Sequence, residues 1–70
     1  MRYAIVIEKV ADNYSAYVPD LPGCVATGSS EAEVEAEIRV AIGFHLEGMR
    51  EDGIVIPPPS SRVDYVDIAA

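Results

Sequence analysis

Apolar and polar residues alternate near the start of the chain. The alternation runs from Arg2 to Glu8 and places Tyr3, Ile5 and Ile7 on one side. A period of two residues is that of a β-strand, and the β-branched side chains in this stretch favour the same structure. We therefore predict a first strand here.

A second alternating stretch follows within a few residues. Asp12 and Asn13 form the predicted turn, because both side chains can bond nearby backbone groups and tolerate left-handed geometry. The flanking segments, Tyr3–Lys9 and Tyr14–Val18, are expected to pair as a hairpin. Cys24–Thr27 is long enough for a short third strand, with the position of an edge strand expected for it.

The apolar period then changes from two residues to that of a helix. One stripe on a helical wheel contains Val34, Ile38, Ala41, Ile42, His45, Leu46 and Met49. Ser30 followed three residues later by Glu33 is a capping box, and Gly53 is a typical stop. We predict a helix from about Glu31 to Asp52.

The C-terminal part of the chain begins as a connector. Pro57, Pro58 and Pro59 cannot enter the interior of a sheet and favour an extended path. Val63–Ile68 is predicted to be a fourth strand. The resulting order is β-β-β-α-β, an α+β fold in which a three-stranded antiparallel sheet gains a C-terminal strand. One long helix covers one face, and the last strand lies parallel to the first.

That layout leaves the second face of the sheet without a cover. Ala4 and Val6 are expected on this face. An uncovered, partly apolar face favours association. We therefore expect a homo-oligomer, a dimer or a tetramer, or contact with another protein.

Length and charge narrow the classes of function. Seventy residues make one small domain, 1–70. The net charge of −7 disfavours direct nucleic-acid binding and favours a basic protein partner. No apolar run has the length of a membrane span, and one cysteine fits a reducing compartment. We expect a cytoplasmic protein with no membrane contact.

The residues that most often carry chemistry have structural explanations here. His45 falls inside the apolar stripe and has no second ligand, so we predict no metal site. Cys24 is expected to be a buried small apolar residue, because few cations are available to activate a thiolate. Ser29 and Ser30 resemble helix caps. We predict no catalytic residues, no cofactor and no enzyme activity.

A metal-dependent nuclease is one alternative. Cleavage of a phosphodiester by two metal ions requires several converging carboxylates. Glu8 ends the first predicted strand, and Asp64 and Asp67 lie on the last one. The middle of the first strand, Ile5–Ile7, has no acidic residue, so the set is incomplete.

Several motifs together resemble one known family. The stretch AYVPDLPGCVATGSSEAE is followed by a capped helix ending HLEGMREDG and then by IVIPPP. This combination, from about Arg2 to Pro59, is similar to the HicB antitoxins of type II toxin–antitoxin systems and to their short, solitary relatives. The resemblance implies a partial RNase H-like fold without its nuclease chemistry. Many members of the family add a C-terminal DNA-binding domain, which this chain, ending at Ala70, is expected to lack.

The resemblance also implies a partner and a role. HicB antitoxins neutralise HicA, a small basic toxin that cleaves mRNA, so a HicA-like toxin is the expected partner. Two alternatives stay open beside this one. The chain could be an orphan homo-oligomeric RNase H-like module, or a degenerate RNase H-like nuclease.

The stretch PDLPGC, from Pro19 to Cys24, has two interpretations. Its prolines, aspartate and glycine are the residue types of a tight corner. Leu21 at the tip is explained least by that role, and an exposed apolar tip on a rigid turn suits a partner contact. The candidate partner-binding residues are Asp20, Leu21, Pro22, Glu47 and Glu51.

Overall fold

The computed structural model describes residues 1–69 and has an α+β fold. Three strands, β1 (Val6–Val10), β2 (Asn13–Tyr17) and β3 (Val25–Gly28), precede one long helix, α1 (Glu31–Glu51). The strands form an antiparallel sheet in the order β1-β2-β3. The helix packs on one face of this sheet, as the sequence pattern predicts.

The hairpin between β1 and β2 turns one residue earlier than expected. Val10 pairs with Asn13, so the turn is made by Ala11 and Asp12, and Asn13 belongs to β2. Ala11 has a φ of 52°, the left-handed region in which a Cβ is crowded by its own backbone. The sequence gives no sign of this, because alanine is not a typical turn residue.

Ala11→Gly is expected to stabilise the protein by about 0.5 to 1 kcal/mol. Glycine adopts a positive φ without the cost of a Cβ, and this gain exceeds the entropy that glycine adds to the unfolded chain. Urea denaturation measures the change. The control is Asp12→Gly, since Asp12 has no positive φ and gains nothing from glycine. Equal destabilisation by both substitutions contradicts the prediction.

The first strand begins later than the alternation suggests. Val6 pairs with Tyr17, the last residue of β2, so residues 2–5 have no partner in the ladder. The predicted common side of the alternating apolar residues is confirmed, because Tyr3, Ile5 and Ile7 all pack against the core. After β2 the chain leaves the sheet at Pro19. The residues before Val6 therefore have no strand to pair with, and β1 is shorter than predicted.

The helix follows the sequence prediction to within a residue. The Ser30 hydroxyl accepts a hydrogen bond from the backbone N–H of Glu33 at 3.1 Å, which confirms the cap. At the other end, the N–H of Ile54 donates to the carbonyl of Met49, and the N–H of Gly53 to that of Arg50. These two bonds are the Schellman arrangement that ends a helix.

The core lies between the helix stripe and one face of the sheet. Its buried residues come from β2, from the corner that follows it and from α1: Ala16, Val18, Leu21, Cys24, Val34, Ile38 and Leu46. Ala41, Ile42 and Met49 of the predicted stripe pack around them. The predicted burial of Cys24 is confirmed.

The sheet and helix approach each other most closely at Gly28. A Cβ at this position lies 2.7 Å from the backbone nitrogen of Val34. Backbone atoms cannot move aside as a flexible side chain can, so any larger residue at Gly28 displaces the first turn of α1. Gly28 thereby sets the spacing between β3 and the helix.

The predicted strand at Val63–Ile68 is not confirmed, because it does not form within residues 1–69. Residues 54–69 contain no helix or strand. Ile56 packs against the core and the Tyr3 hydroxyl donates to the Pro57 carbonyl at 2.6 Å, but beyond Pro57 the chain is exposed. Among residues 1–69, no strand pairs with residues 63–68. The RNase H-like order stays a prediction.

Candidate partner-binding surface

The PDLPGC corner consists of two consecutive turns. The N–H of Leu21 donates to the carbonyl of Val18, and the N–H of Cys24 donates to the carbonyl of Leu21. Gly23 occupies the third position of the second turn with a φ of 83°, after a proline, as a type II turn requires. A third bond, from the Val18 N–H to the Cys24 carbonyl, joins the two ends of the corner.

The two turns send the Leu21 side chain inward. Leu21 is 1% exposed and is one of the largest fully buried side chains in the described chain. The expectation of an exposed apolar tip is therefore wrong. Pro22, the next residue, is exposed instead. The corner is built around a core residue, and its outer surface is formed by the prolines.

Asp20 binds a distant part of the chain. Its carboxylate accepts four hydrogen bonds, two from backbone N–H groups and two from hydroxyls, all from Ser60 and Ser61. The distances are 2.7 to 3.1 Å. The PDLPGC corner thus fixes the point at which the C-terminal segment leaves the body of the protein. Direct contact of Asp20 with a partner stays a prediction.

These hydrogen bonds lower the pKa of Asp20 from 3.8 to about 2, the backbone N–H of Ser61 contributing most. Because the folded pKa lies below the unfolded one, the contact is complete above about pH 4 and is lost as the pH falls through about 2. We expect the amide resonances of Ser60 and Ser61 to titrate with a midpoint near pH 2.

An NMR titration measures this midpoint. In Asp20→Asn, the side chain has no proton to gain, so the same two amides are expected to show no such transition. A midpoint near the ordinary aspartate value, or an unchanged titration in Asp20→Asn, contradicts the Asp20 contact.

An aromatic side chain on α1 faces away from the sheet. Phe44 is 70% exposed, and Val40, one turn earlier, is also exposed. The two lie four residues apart and so share one face of the helix. Exposed single apolar residues are common, but an exposed phenylalanine beside a second apolar residue and a cleft is typical of a binding site.

A shallow cleft of about 430 Å³ joins Phe44 to the PDLPGC corner. Its lining is formed by Leu21, Pro22, Phe44, His45, Gly48, Met49, Asp52, Ile54 and Pro57. On the other side of Phe44, a second depression is lined by Val40, Gly43, Phe44 and Glu47. We call the two depressions together the Phe44 surface. It has an apolar floor with Glu47 and Asp52 at its margins.

The structure brings some of the predicted site residues together. Pro22 lies in the cleft, and Glu47 flanks Phe44. Glu51 is exposed in the last turn of α1, one turn beyond Glu47. Asp20 instead holds the serines, and Leu21 contributes from below as part of the core.

Sequence reasoning missed the residue at the centre of this surface. Phe44 falls outside the apolar stripe of α1, and the available signal was that Phe44 and Val40 lie four residues apart on a helix face otherwise rich in glutamate. Ser60 and Ser61 were also missed as partners of Asp20. No local pattern could have found them, because 40 residues separate Asp20 from Ser60.

The remaining candidate residues have simple surroundings. Burial raises the pKa of the Cys24 thiol above its ordinary value, which disfavours the reactive thiolate. His45 is half-buried in the wall of the cleft. Within residues 1–69, no three His, Cys, Asp or Glu side chains are grouped so as to hold a metal ion. In the same range, no helix has both the length and the apolar character needed to cross a bilayer.

Comparison with known proteins identifies the class of this chain. A family model described as the HicB-like antitoxin of bacterial toxin–antitoxin systems matches residues 3–69. The chain belongs to this HicB-like antitoxin family. The resemblance noted in the sequence motifs is thereby confirmed.

Individual relatives come from a phage, a bacterium and an archaeon. A 14.9-kDa protein of the rep–hol intergenic region of Haemophilus phage HP1 is 42% identical over 96% of the chain, which spans about half of that relative's length. A UPF0150 protein of Helicobacter pylori is 43% identical, covering 91% of this chain and 90% of its own. A UPF0150 protein of Thermoplasma acidophilum is 34% identical, covering 81% and 84%.

A solved structure has the same fold. It is described as a HicA3 and HicB3 toxin–antitoxin complex, and it matches with a TM-score of 0.73 and 30% sequence identity. The match covers 84% of this chain and 70% of the other. The three-stranded sheet and its helix are therefore the fold of a chain that occurs in such a complex.

Proposed function

We propose that this chain is an antitoxin that binds and neutralises a HicA-like mRNA-cleaving toxin, and that it does so without catalysis. The observation that carries the proposal is the Phe44 surface, an exposed apolar patch with acidic margins on a chain of the HicB-like antitoxin family. A basic protein is the partner that such a surface suits best.

Charge and apolar contact have different parts in this proposal. The net charge of −7 attracts a basic toxin over a distance and raises the rate of encounter, an effect that salt screens. The affinity comes from burying apolar side chains, since a few large residues usually carry most of the binding energy of an interface. Phe44 and Pro22 are the apolar contacts that we propose, with Glu47 and Glu51 as their charged neighbours.

The toxin also determines where the antitoxin acts. Cleavage of mRNA takes place in the cytoplasm, so the proposal places this chain there. The acidic surface disfavours direct binding to nucleic acid, and we propose that any effect on RNA is indirect, through the bound toxin.

Co-expression with a HicA-like toxin tests the proposal in cells. We expect the chain to restore growth that the toxin arrests. The matched control is Phe44→Asp, which places a charge at the centre of the Phe44 surface and leaves the buried core untouched. We expect this variant to accumulate normally and to fail in rescue. Continued arrest with the unmodified chain, together with no binding at moderate salt, removes the proposal.

A further inference from the structure

Both outer edges of the sheet, at β1 and at β3, lack a strand partner within residues 1–69, and the edge at β1 is the one near residues 63–65. In the order β1-β2-β3, β2 covers one side of β1, and the other side has no strand beside it. An open edge offers a row of unpaired backbone groups to any extended segment. β1 also carries Lys9. The two ion pairs within residues 1–69 are Arg39–Glu35 and Arg62–Asp64, so Lys9 has no carboxylate partner there.

The same chain contains an extended segment that lacks a ladder. We call residues 62–68 the tail. Its large apolar side chains are Val63, Tyr65, Val66 and Ile68, which are 49 to 88% exposed. β-branched and aromatic residues favour a strand, and a group of them left in water is unusual for a monomer. The tail thus has the composition of a strand and the exposure of a linker.

The tail does not satisfy the edge of its own β1. It passes residues 5–7 across an open cleft of about 520 Å³, which Val63, Asp64 and Tyr65 line from the other side. None of the described backbone hydrogen bonds outside the regular elements joins the tail to β1. The radius of gyration is 13.7 Å, whereas a compact chain of this length has about 11 Å. Asp20 anchors Ser60 and Ser61, and the residues that follow run beside residues 2–7 without a backbone hydrogen bond to them.

We propose that the tail pairs with the open edge of β1 in a second copy of the chain, and that the second copy returns the same contact. An edge and a strand that both lack partners in one chain are self-complementary, so a two-fold exchange satisfies both at once. The tail is long enough to cover the edge strand. At about 3.3 Å per residue, the seven-residue tail spans about 23 Å and the five-residue β1 about 17 Å.

The local charges of the two segments do not decide the pairing, because β1 carries Glu8 beside Lys9 and Asp64 already pairs with Arg62. The two bodies repel each other through their net charge of −7 each, so screening favours the exchange. We therefore expect the dimer to strengthen with salt. A complex with a basic toxin is expected to weaken with salt, which separates this inference from the proposed function.

The first test locates the tail by paramagnetic broadening in NMR. A nitroxide is attached at Ala69→Cys in a Cys24→Ala background, which leaves the tail intact. The protein that carries the nitroxide contains no ¹⁵N. It is mixed with ¹⁵N-labelled protein that carries no nitroxide. We expect broadening of the amides of Val6–Val10 in the labelled copy. If the amides broaden only when the nitroxide and the ¹⁵N are on the same molecule, the tail docks within its own chain and the proposal is overturned.

The second test compares two matched substitutions by light scattering. Val66→Asp charges the tail, and Val55→Asp makes the same change at a residue that is 87% exposed outside it. We expect the unmodified chain and Val55→Asp to have twice the mass of the 7.5-kDa chain, and Val66→Asp to dissociate at least tenfold more readily. A single-chain mass for the unmodified protein, or equal masses for the two variants, contradicts the exchange.

Discussion

Leu21→Ala is expected to lower the free energy of unfolding by about 3 kcal/mol. Leu21 is fully buried, and removing its side chain costs the transfer free energy of the lost atoms together with the cavity left behind. A domain of this size has a total stability of about 4 to 10 kcal/mol. The substitution therefore brings a large part of the population close to unfolding at moderate temperature. Urea denaturation with a constant slope measures the change.

Two controls separate cavity formation from other effects. Leu21→Met keeps most of the volume and is expected to cost less than about 1.5 kcal/mol. Val55→Ala removes an exposed side chain and is expected to change stability by no more than about 0.5 kcal/mol. If Leu21→Ala has an effect as small as that of Val55→Ala, the inward orientation of the PDLPGC corner is wrong.

Phe44→Ala is expected to weaken binding of a HicA-like toxin at least 100-fold. Truncation of a central aromatic residue commonly costs 2 kcal/mol or more in an interface, and about 2.7 kcal/mol corresponds to a factor of 100. Alanine has the highest helix propensity and Phe44 is largely exposed, so the fold is expected to tolerate the change. Titration calorimetry at moderate salt measures the loss.

The matched control for Phe44 lies on the opposite side of the molecule. Val25 is exposed on the sheet face that α1 does not cover. Val25→Ala is expected to leave toxin affinity within about threefold. If Val25→Ala lowers toxin affinity and Phe44→Ala does not, the binding surface is the uncovered sheet face and not the Phe44 surface. That face is where Ala4 and Val6 were expected to mediate association.

Local sequence signals predicted the parts of the fold that local interactions determine. The capping box of Ser30 and Glu33 and the glycine at position 53 gave the helix to within a residue. The two-residue alternation gave the facing of Tyr3, Ile5 and Ile7. In each case the residues that interact are close in sequence, or they share one periodic pattern.

The errors arose where distant parts of the chain meet. The burial of Leu21 depends on how the corner after β2 folds back onto α1. The residue types of the corner predict a tight turn, but they do not predict whether its apolar side chain faces the core or the solvent. The four bonds from Ser60 and Ser61 to Asp20 join segments with no common pattern. The strand at Val63–Ile68 was predicted from composition, but a strand also requires a hydrogen-bonded ladder, and residues 63–68 form none with the open edge of β1.

Inhibition of purified toxin tests the central claim most directly. RNA cleavage by a HicA-like toxin is followed at moderate salt as this chain is added. We expect cleavage to fall to background near one chain per toxin, and the chain alone to leave RNA and RNA–DNA hybrids intact with magnesium or manganese. Cleavage that persists at a large excess of the chain contradicts the account, and so does metal-dependent cleavage by the chain itself.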